Sequence, residues 1–196
     1  MTVEFADSKR FTKVYFDGEP VQELHRRLFR LHFRILSRAK SKEELLKALR
    51  QIEIKVSRGL VYKWLAERGY LKAELKTKLK RYKLSEEAIE EVIKECQKLG
   101  YLDDEREGKL FIRGQMRKGY GPQMIAYKLT QKAPELKEMA ESAMTEEEQQ
   151  EAIKKWIGKK LRGDDLSDLK VKQRLYRFLK SKGFDDEPIR RHLFLD

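Results

Sequence analysis

Apolar residues recur along the chain at an interval of fifty positions, in three copies of one pattern. The aligned positions are Leu75, Leu79, Ile89 and Ile93; Ile125, Leu129, Met139 and Ala143; and Leu175, Leu179, Ile189 and Leu193. In each copy the first two residues are four apart, as are the last two, and this spacing places each pair on one face of an α-helix. The pattern predicts a repeat of helical modules.

A further apolar stripe precedes each copy and predicts a first helix that ends at a glycine. The stripes are Val61, Trp64 and Leu65 before Gly69; Leu110, Ile112 and Met116 before Gly119; and Ile153, Trp156, Ile157 and Leu161 before Gly163. Glycine readily adopts the left-handed backbone angles that close a helix. Three-helix modules are therefore predicted over residues 57–102, 103–144 and 145–196, with a longer joint, GDDLSD, in the last.

Polar residues and prolines mark where several of these helices begin. Thr145 and Glu148 form a capping-box pattern, and Ser85 precedes two glutamates that suit the positive end of a helix dipole. Pro122 and Pro188 stand where the first turn of a helix tolerates proline. These start signals agree with the helices that the apolar pattern predicts.

Residues 1–56 follow a different pattern. The segment FTKVYFDGEPVQEL alternates apolar and polar residues around Asp17-Gly18, which predicts a β-hairpin. The pattern of the following segment, RRLFRLHFRIL, does not decide its type, and Ser41 with Glu44 then opens a helix through Leu49. The predicted fold class is all-α: an elongated, curved tandem array of three three-helix repeats, preceded by a small hairpin-and-helix element.

The charge is large and unevenly distributed. The formal net charge is +12, with +5 in residues 1–56, +2 in 57–104, −1 in 105–153 and +6 in 154–196. A basic surface attracts phosphates or acidic proteins, although a solvated, lysine-rich surface has the same composition. No apolar stretch has the length of a membrane span, no signal-peptide pattern is present, and the single Cys96 suits a reducing compartment. A cytoplasmic location is expected.

Residues capable of catalysis or metal binding are not clustered in the sequence. His25, His32 and His192 are scattered, and Cys96 has no histidine nearby. The pairs Asp103-Asp104, Asp164-Asp165 and Asp185-Asp186 are each predicted to cap a helix start. The glycines of GYGP do not have the spacing of a phosphate-binding loop. No enzymatic activity, metal or cofactor is expected.

Basic side chains are the candidate binding residues; most lie on the second and third helices of the modules, and Arg113 and Arg117 lie on the first helix of the middle module. The candidates are Lys76, Lys80, Arg81, Arg113, Arg117, Lys128, Lys170, Lys172, Arg174, Arg177, Lys180, Lys182, Arg190 and Arg191. The segment between Leu169 and Phe184 contains no acidic residue, which favours an anionic partner over a merely solvated face. Trp64 and Trp156 are predicted to pack in cores, and Tyr70, Tyr101 and Tyr120 to anchor turns.

The middle module resembles a known family. The matching elements are Tyr101 to Arg106, the apolar residues from Leu110 to Met116, Lys118 to Pro122, and the pair Ile125 and Leu129. This pattern is similar to the signature of RecX regulatory proteins, which modulate the RecA recombinase. Ala73 to Leu79 upstream and LYRFLKSKGFDDEPIRR downstream resemble the first and third repeats, so the resemblance spans about residues 57–194. Glu107 and Gly108 depart from the family pattern, in which an aromatic and a small residue are usual.

The resemblance implies a fold, a partner and a mechanism. The fold is the tandem three-helix repeat, and the partner is the RecA filament on single-stranded DNA. The chain would lie as a monomer in the groove of the filament, bridge protomers, and inhibit strand exchange, ATP hydrolysis and co-protease activity. Weak direct contact with DNA is also implied, and no membrane. Two alternatives stay open: an independent DNA-binding protein built from three-helix modules, and a helical adaptor for an unrelated acidic protein.

Overall fold

The structure, a computed structural model, describes residues 2–194 and divides into two compact units, Met1–Asp103 and Asp104–Asp196. The strands are Val3–Asp7 (β1), Phe11–Phe16 (β2) and Glu19–His25 (β3). The helices of the first unit are Arg26–Phe29 (α1), Phe33–Leu36 (α2), Lys42–Glu67 (α3), Lys72–Lys80 (α4) and Glu86–Lys98 (α5). Those of the second are Asp104–Arg117 (α6), Pro122–Lys132 (α7), Lys137–Glu141 (α8), Glu146–Leu161 (α9), Leu169–Ser181 (α10) and Asp186–Leu193 (α11), with a 3-10 turn at Pro134–Leu136.

The predicted hairpin is confirmed as part of a larger antiparallel sheet in the order β1-β2-β3. Asp17 and Gly18 both have positive φ, 48° and 80°, as a tight turn between right-twisted strands requires. Val14 and Leu24 are buried beneath the sheet and join the core of the first unit. The strand β1 was not predicted, because most of its side chains are exposed and its pattern carries little apolar alternation.

The arginine-rich segment that the sequence pattern left open forms two short helices, α1 and α2. Phe29 and Leu36 are fully buried in the core of the first unit. The ring of Phe33 packs edge-on against that of Phe5 in β1, with 5.1 Å between centroids. These apolar contacts hold a segment whose helices are each too short to be stable alone.

The helix α3 begins at the predicted cap, where the Ser41 side chain accepts a hydrogen bond from the Glu44 N–H. It then continues over 26 residues, through the boundary predicted after residue 56. The prediction of separate helices on either side of residue 56 was wrong, because the buried face continues without a break through Glu53, Ser57 and Val61. The division into modules with the predicted bounds stays a prediction.

The end of α3 differs from the predicted glycine closure. The helix ends at Arg68, whose extended backbone (φ −165°) leaves the helical path. Gly69 does not have the positive φ that was expected of it, whereas Gly119 (φ 76°) and Gly163 (φ 92°) do. The guanidinium of Arg68 lies 3.6 Å from the centroid of the Tyr70 ring, which favours the extended turn.

The fifty-residue pattern corresponds to the cores of the helical modules. Leu75, Leu79, Ile89 and Ile93 in the first copy, Ile125 and Leu129 in the second, and Leu175, Leu179, Ile189 and Leu193 in the third are all buried. The exception is the end of the second copy, where Met139 and Ala143 are only half-buried and Ala140 is buried instead. The turn at Pro134 shortens the third helix there, so the buried residue shifts by one position.

Glu107 and Gly108, the two residues that differ from the family pattern, lie on α6 in the second unit, where Gly108 is close to α8. Gly108 is buried, and a Cβ atom there would lie 2.8 Å from Sδ of Met139, so the thioether occupies the space of the missing side chain. The neighbouring Glu107 side chain is 15% exposed and lies 3.5 Å from the Arg106 guanidinium. A glycine at 108 thus allows α6 to approach the shortened helix α8 closely.

The second and third modules are joined by main-chain hydrogen bonds inside the second unit. The Gly121 N–H donates to the Lys182 carbonyl at 2.9 Å, and the Gln123 N–H donates to the Gly183 carbonyl at 3.0 Å. Gly183 has φ 87°, and a Cβ there would lie 2.4 Å from the Met124 nitrogen. Glycine is required at this crossing because no side chain fits between the two backbones.

The predicted capping box at the start of α9 is confirmed, with the Thr145 hydroxyl accepting from the Glu148 N–H. The capping prediction for Asp164-Asp165 was wrong, because the next helix begins at Leu169 with Asp168 as its cap. Asp165 instead binds the hydroxyl and N–H of Ser167 within the joint, which lowers the pKa of its carboxyl. No helix within residues 2–194 is long and apolar enough to cross a membrane.

Candidate anion-binding surface

Most of the candidate cations of the first module are engaged inside the first unit. Lys76 pairs with Glu90 and Lys80 with Glu86, and both acids lie on α5. The Lys78 ammonium donates to the Tyr70 hydroxyl at 2.9 Å and lies 4.0 Å from the ring of Trp64. Within residues 2–194 Arg81 makes no ion pair and is exposed. The charge of α4, which is unbalanced in the sequence, is therefore largely neutralised by the neighbouring helix.

In the second unit the fold brings two predicted cations from distant positions to one aromatic ring. The Lys128 ammonium lies 3.3 Å from the centroid of Tyr120, and the Lys182 ammonium lies 5.0 Å from it. The hydrogen bond and positive charge of Lys128 lower the pKa of the Tyr120 hydroxyl. Lys182 also lies 5.2 Å from the ring of Trp156, which extends the cluster toward α9.

A basic groove lies beside this cluster, between the end of α6 and α9. It has a volume of about 320 Å³ and is lined by Met116, Arg117, Lys118, Gly119, Ala152, Lys155, Trp156 and Lys159. Four of these residues are cationic and none is acidic. Trp156 is the aromatic residue of the lining, and its indole N–H donates to the Gly119 carbonyl at 2.8 Å. Cations around an aromatic plane are the arrangement that binds phosphate together with a stacked base or apolar group.

The groove depends on the glycine that ends α6. Gly119 has φ 76°, and a Cβ atom there would lie 2.5 Å from Nε1 of Trp156. The indole can therefore reach the main chain only because position 119 has no side chain. Trp156 is further fixed by an edge-on contact with Phe178, with 5.0 Å between centroids. The position of the Trp156 indole is thus set by contacts within the second unit.

Comparison with known proteins identifies the family. A family model described as RecX, third three-helix domain, matches residues 146–193. The regulatory protein RecX of Legionella pneumophila (strain Corby) is 34% identical over 128 residues, which cover 64% of this chain and 84% of the relative. That of Acinetobacter baylyi is 32% identical over 133 residues, covering 65% of this chain and 80% of the relative. The chain belongs to the RecX family.

Solved RecX structures have the same fold. A crystal structure of regulatory protein RecX covers 97% of this chain with a TM-score of 0.64 and 19% identity. RecX from Lactobacillus salivarius covers 74% of this chain with a TM-score of 0.66 and 20% identity. The predicted fold class, helical three-helix repeats after a small N-terminal element, is confirmed.

The RecX third domain, formed by α9, α10 and α11, carries the most candidate cations, and several are paired. Arg174 pairs with Asp164, the Lys180 ammonium lies 3.0 Å from Asp186, and Arg191 bridges Glu146 at 2.6 Å and Glu187 at 2.9 Å. The Lys172 ammonium lies 5.7 Å from the ring of Phe194. Although the sequence of α10 contains no acid, acids from adjacent segments neutralise part of its charge.

Three predicted cations of this RecX domain are available to a partner. Lys170, Arg177 and Arg190 are exposed and make no ion pair with any other residue of the described range. Arg177 and Arg190 line an open groove of about 730 Å³ between α10 and α11, together with Gln173, Tyr176 and Phe194. Arg113, on α6, is likewise exposed and unpaired within residues 2–194.

Several residues that complete the basic groove were not predicted from the sequence. Lys118, Lys155 and Lys159 were not among the candidates, and Trp156 was assigned to the core although it is only half-buried. The spacing of Lys155 and Lys159, four apart and flanking Trp156, was an available signal. Their proximity to Arg117 was not, because it depends on how α9 packs against the end of α6.

The reactive side chains do not form a second kind of site. Cys96 is fully buried, and burial raises the pKa of its thiol. Among the described residues no group of histidine, cysteine and carboxylate side chains could hold a metal ion. The relatives from Legionella pneumophila and Acinetobacter baylyi, of which this chain covers 84% and 80%, are named regulatory proteins.

Proposed function

We propose that this RecX family member binds RecA filaments on single-stranded DNA and inhibits their recombinase, ATPase and co-protease activities. The observation that carries the proposal is the basic groove of the second unit, which is lined by Arg117, Lys118, Lys155 and Lys159 together with Trp156 and by no acidic residue. The family resemblance supplies the partner. The chain would lie in the groove of the filament as a monomer, in the cytoplasm.

The proposed mechanism is steric and electrostatic. The four cations of the groove attract the negative charge of the filament, and salt weakens this attraction. Arg177 and Arg190, at the second groove, add unpaired charge in the third RecX domain. A chain held at two such points along a filament would restrict the movement of successive RecA subunits. Under the proposed mechanism, strand exchange and ATP hydrolysis both require the movement of successive RecA subunits, so both are inhibited.

The test follows RecA ATP hydrolysis on single-stranded DNA while the protein is added well below the concentration of RecA. The site variant is the pair Arg117→Gln and Lys155→Gln, in the basic groove. The control variant is Lys109→Gln with Lys137→Gln, which removes the same charge from exposed positions on α6 and α8. The site variant is expected to need about tenfold more protein for half-inhibition, which corresponds to ~1.4 kcal/mol of binding free energy. The control is expected to match the parent.

Two outcomes would contradict the proposal. One is unchanged hydrolysis and strand exchange at low salt, with no co-sedimentation of the protein on filaments. The other is equal loss of inhibition in the site and control variants, since only net charge would then matter. Binding to free DNA with no effect on RecA would favour the alternative, an independent DNA-binding protein, whose phosphate contacts the same groove can supply.

A further inference from the structure

The segment from Arg26 to Lys42, which includes α1 and α2, is the most one-sidedly charged surface of the first unit. The residues between Glu23 and Glu43 include seven cations and no acid. The seven are Arg26, Arg27, Arg30, Arg34, Arg38, Lys40 and Lys42, and all are exposed. This segment precedes residues 57–194, to which the family resemblance applies, and residues 146–193, which the family model matches.

Among the described residues, ion pairs are made only by the cations at the two ends of this arginine segment. Arg26 lies 3.2 Å from Asp7, and Lys42 lies 2.7 Å from Glu19. Within residues 2–194 the other five cations make no ion pair. Elsewhere in the first unit, cations on α3 and α4 meet acids on α5: Arg58 pairs with Glu95 at 2.7 Å, and Lys80 with Glu86 at 2.9 Å. The arginine segment therefore keeps a concentration of unpaired cations, whereas several cations of α3 and α4 are paired with acids on α5.

The fold holds these charges close together. Phe29 and Leu36 anchor the segment in the core, and Phe33 is fixed against Phe5. Five like charges on an anchored surface repel one another, which costs stability unless a polyanion compensates them. The backbone that carries them is anchored before binding, so less backbone freedom is lost when a ligand binds.

The choice of arginine points to the kind of anion. The chain has 27 lysines and 18 arginines, yet every cation from residue 26 to residue 38 is an arginine. The planar guanidinium forms paired hydrogen bonds to phosphate or carboxylate oxygens, which an ammonium cannot. Four of these arginines, Arg27, Arg30, Arg34 and Arg38, make no ion pair within residues 2–194 and are exposed.

Exposed apolar side chains among the arginines favour an unpaired nucleic-acid strand, rather than a membrane, as the ligand. Leu31 is 80% exposed and Ile35 is 53% exposed. A helix that lies in a membrane surface presents a continuous apolar face, whereas here Phe29, Phe33 and Leu36 turn that face toward the core. Two exposed aliphatic side chains are too few to insert in a bilayer but can contact the sugars and bases of an unpaired strand.

From these observations we infer that the arginine segment is a second nucleic-acid-binding surface, which holds the phosphodiester backbone of a single strand without sequence preference. This inference goes beyond the proposed function, because the arginine segment lies in the other unit and binds the nucleic acid directly, without RecA. Arg27, Arg30, Arg34 and Arg38 contact phosphates, and Leu31 and Ile35 contact sugar or base.

The test measures binding of the full chain to a fluorescent oligothymidine of about 30 nucleotides over a range of salt concentrations, in the absence of RecA. The site variant is Arg30→Gln, Arg34→Gln and Arg38→Gln together. The control is Lys47→Gln, Lys55→Gln and Lys63→Gln, which removes the same charge from exposed positions on α3. A third variant replaces the three arginines with lysine. Circular dichroism establishes that every variant is folded.

Each phosphate contact on a single strand contributes about 0.7 to the slope of log affinity against log salt, so loss of three contacts reduces the slope by about 2. The site variant is therefore expected to bind about 100-fold more weakly than the parent at about 0.1 M salt. The control is expected to lose less than about tenfold, and the lysine variant is expected to fall between the site variant and the parent, because charge alone replaces only part of the arginine contact.

Three results would overturn the inference. The site variant could bind the oligonucleotide as the parent does, or the control could lose as much affinity as the site variant. Alternatively, the site variant could lose binding to vesicles containing anionic phospholipid while its binding to the oligonucleotide is unchanged. None of these measurements involves RecA, so failure here is distinct from failure of the proposed function.

Discussion

At the scale of single residues, the buried carboxylate of Glu53 has a structural role that composition alone does not suggest. Glu53 is 2% exposed, yet it is a charged residue in the middle of α3. Its carboxylate accepts from the Gln22 amide at 2.5 Å, from the Ser85 N–H at 3.0 Å and from the Ser85 hydroxyl at 2.6 Å. It therefore ties β3 and the start of α5 to α3, and burial without these partners would be costly.

Replacement of Glu53 by glutamine is expected to lower the free energy of unfolding by about 2 kcal/mol, because buried donors lose a charged acceptor. Urea denaturation followed by circular dichroism measures the change. Glu67→Gln, at the exposed end of the same helix, is the control and is expected to change stability by less than about 0.5 kcal/mol. Equal effects of the two substitutions would show that the buried contacts of Glu53 contribute nothing.

Gly119→Ala is expected to lower the free energy of unfolding by about 2–4 kcal/mol, because the new Cβ meets the indole of Trp156 and the positive φ is strained. Gly163→Ala is the matched control, since φ is also positive there but no atom lies within 4 Å of the added Cβ. That control should cost only about 1 kcal/mol. Tryptophan fluorescence should shift in the first variant, and an unshifted spectrum would contradict the proposed contact.

At the scale of helices, the sequence predicted which faces are buried better than it predicted where helices end or which charges are paired. Leu75, Ile125 and Leu175 are all in cores because periodicity reports burial directly. The length of α3 was missed because the capping pattern of Ser41 and Glu44 marks where the helix begins and not how far its buried face continues. The neutralisation of α4 by Glu86 and Glu90 was missed because it depends on how two helices pack.

The ion pair of Lys76 and Glu90 between α4 and α5 should make stability depend on pH. The hydrogen bond from Lys76 holds the pKa of Glu90 below its ordinary value of 4.5. A lowered carboxyl pKa contributes stability above the unfolded value, and this contribution is lost as the pH falls through the folded value. Both side chains are partly exposed, so the contribution is about 0.5 kcal/mol.

The substitution Glu90→Gln is therefore expected to reduce stability near neutral pH and to have little effect once the pH is well below 4.5. Urea denaturation at a series of pH values measures the difference between the variant and the parent. Glu87→Gln, exposed on the same helix, serves as the reference. A difference that grows as the pH falls would contradict the assigned sign.

At the scale of the whole molecule, the chain has two compact units and one tryptophan in each. Trp64 lies in the core of the first unit, and Trp156 packs against the core of the second. The sequence predicted the helical class and the approximate modules, but the surfaces that gather cations in each unit arise from packing. Arg117 was predicted from the sequence, whereas Lys155 was not, because its place beside Arg117 depends on how α9 packs against the end of α6.

Each unit has its own buried core, so a change confined to one core is expected to shift the unfolding of that unit alone. Ile153→Ala, in the second unit, should lower the urea midpoint seen by Trp156 in a Trp64→Phe background, through loss of about 2–4 kcal/mol. The midpoint seen by Trp64 in a Trp156→Phe background should stay in place. Equal shifts of both midpoints would show that the chain unfolds as one cooperative unit.

The main-chain crossing at Gly121 and Gly183 has a consequence for how the second unit can vary. Because its hydrogen bonds run from backbone to backbone, the crossing is indifferent to the chemistry of the side chains around it, provided that the glycines are kept. The main-chain position of Lys182 beside Gly121 is thus fixed by the peptide framework. Substitution of the charged side chains near the crossing would therefore change what the surface binds without changing the main-chain geometry of the crossing.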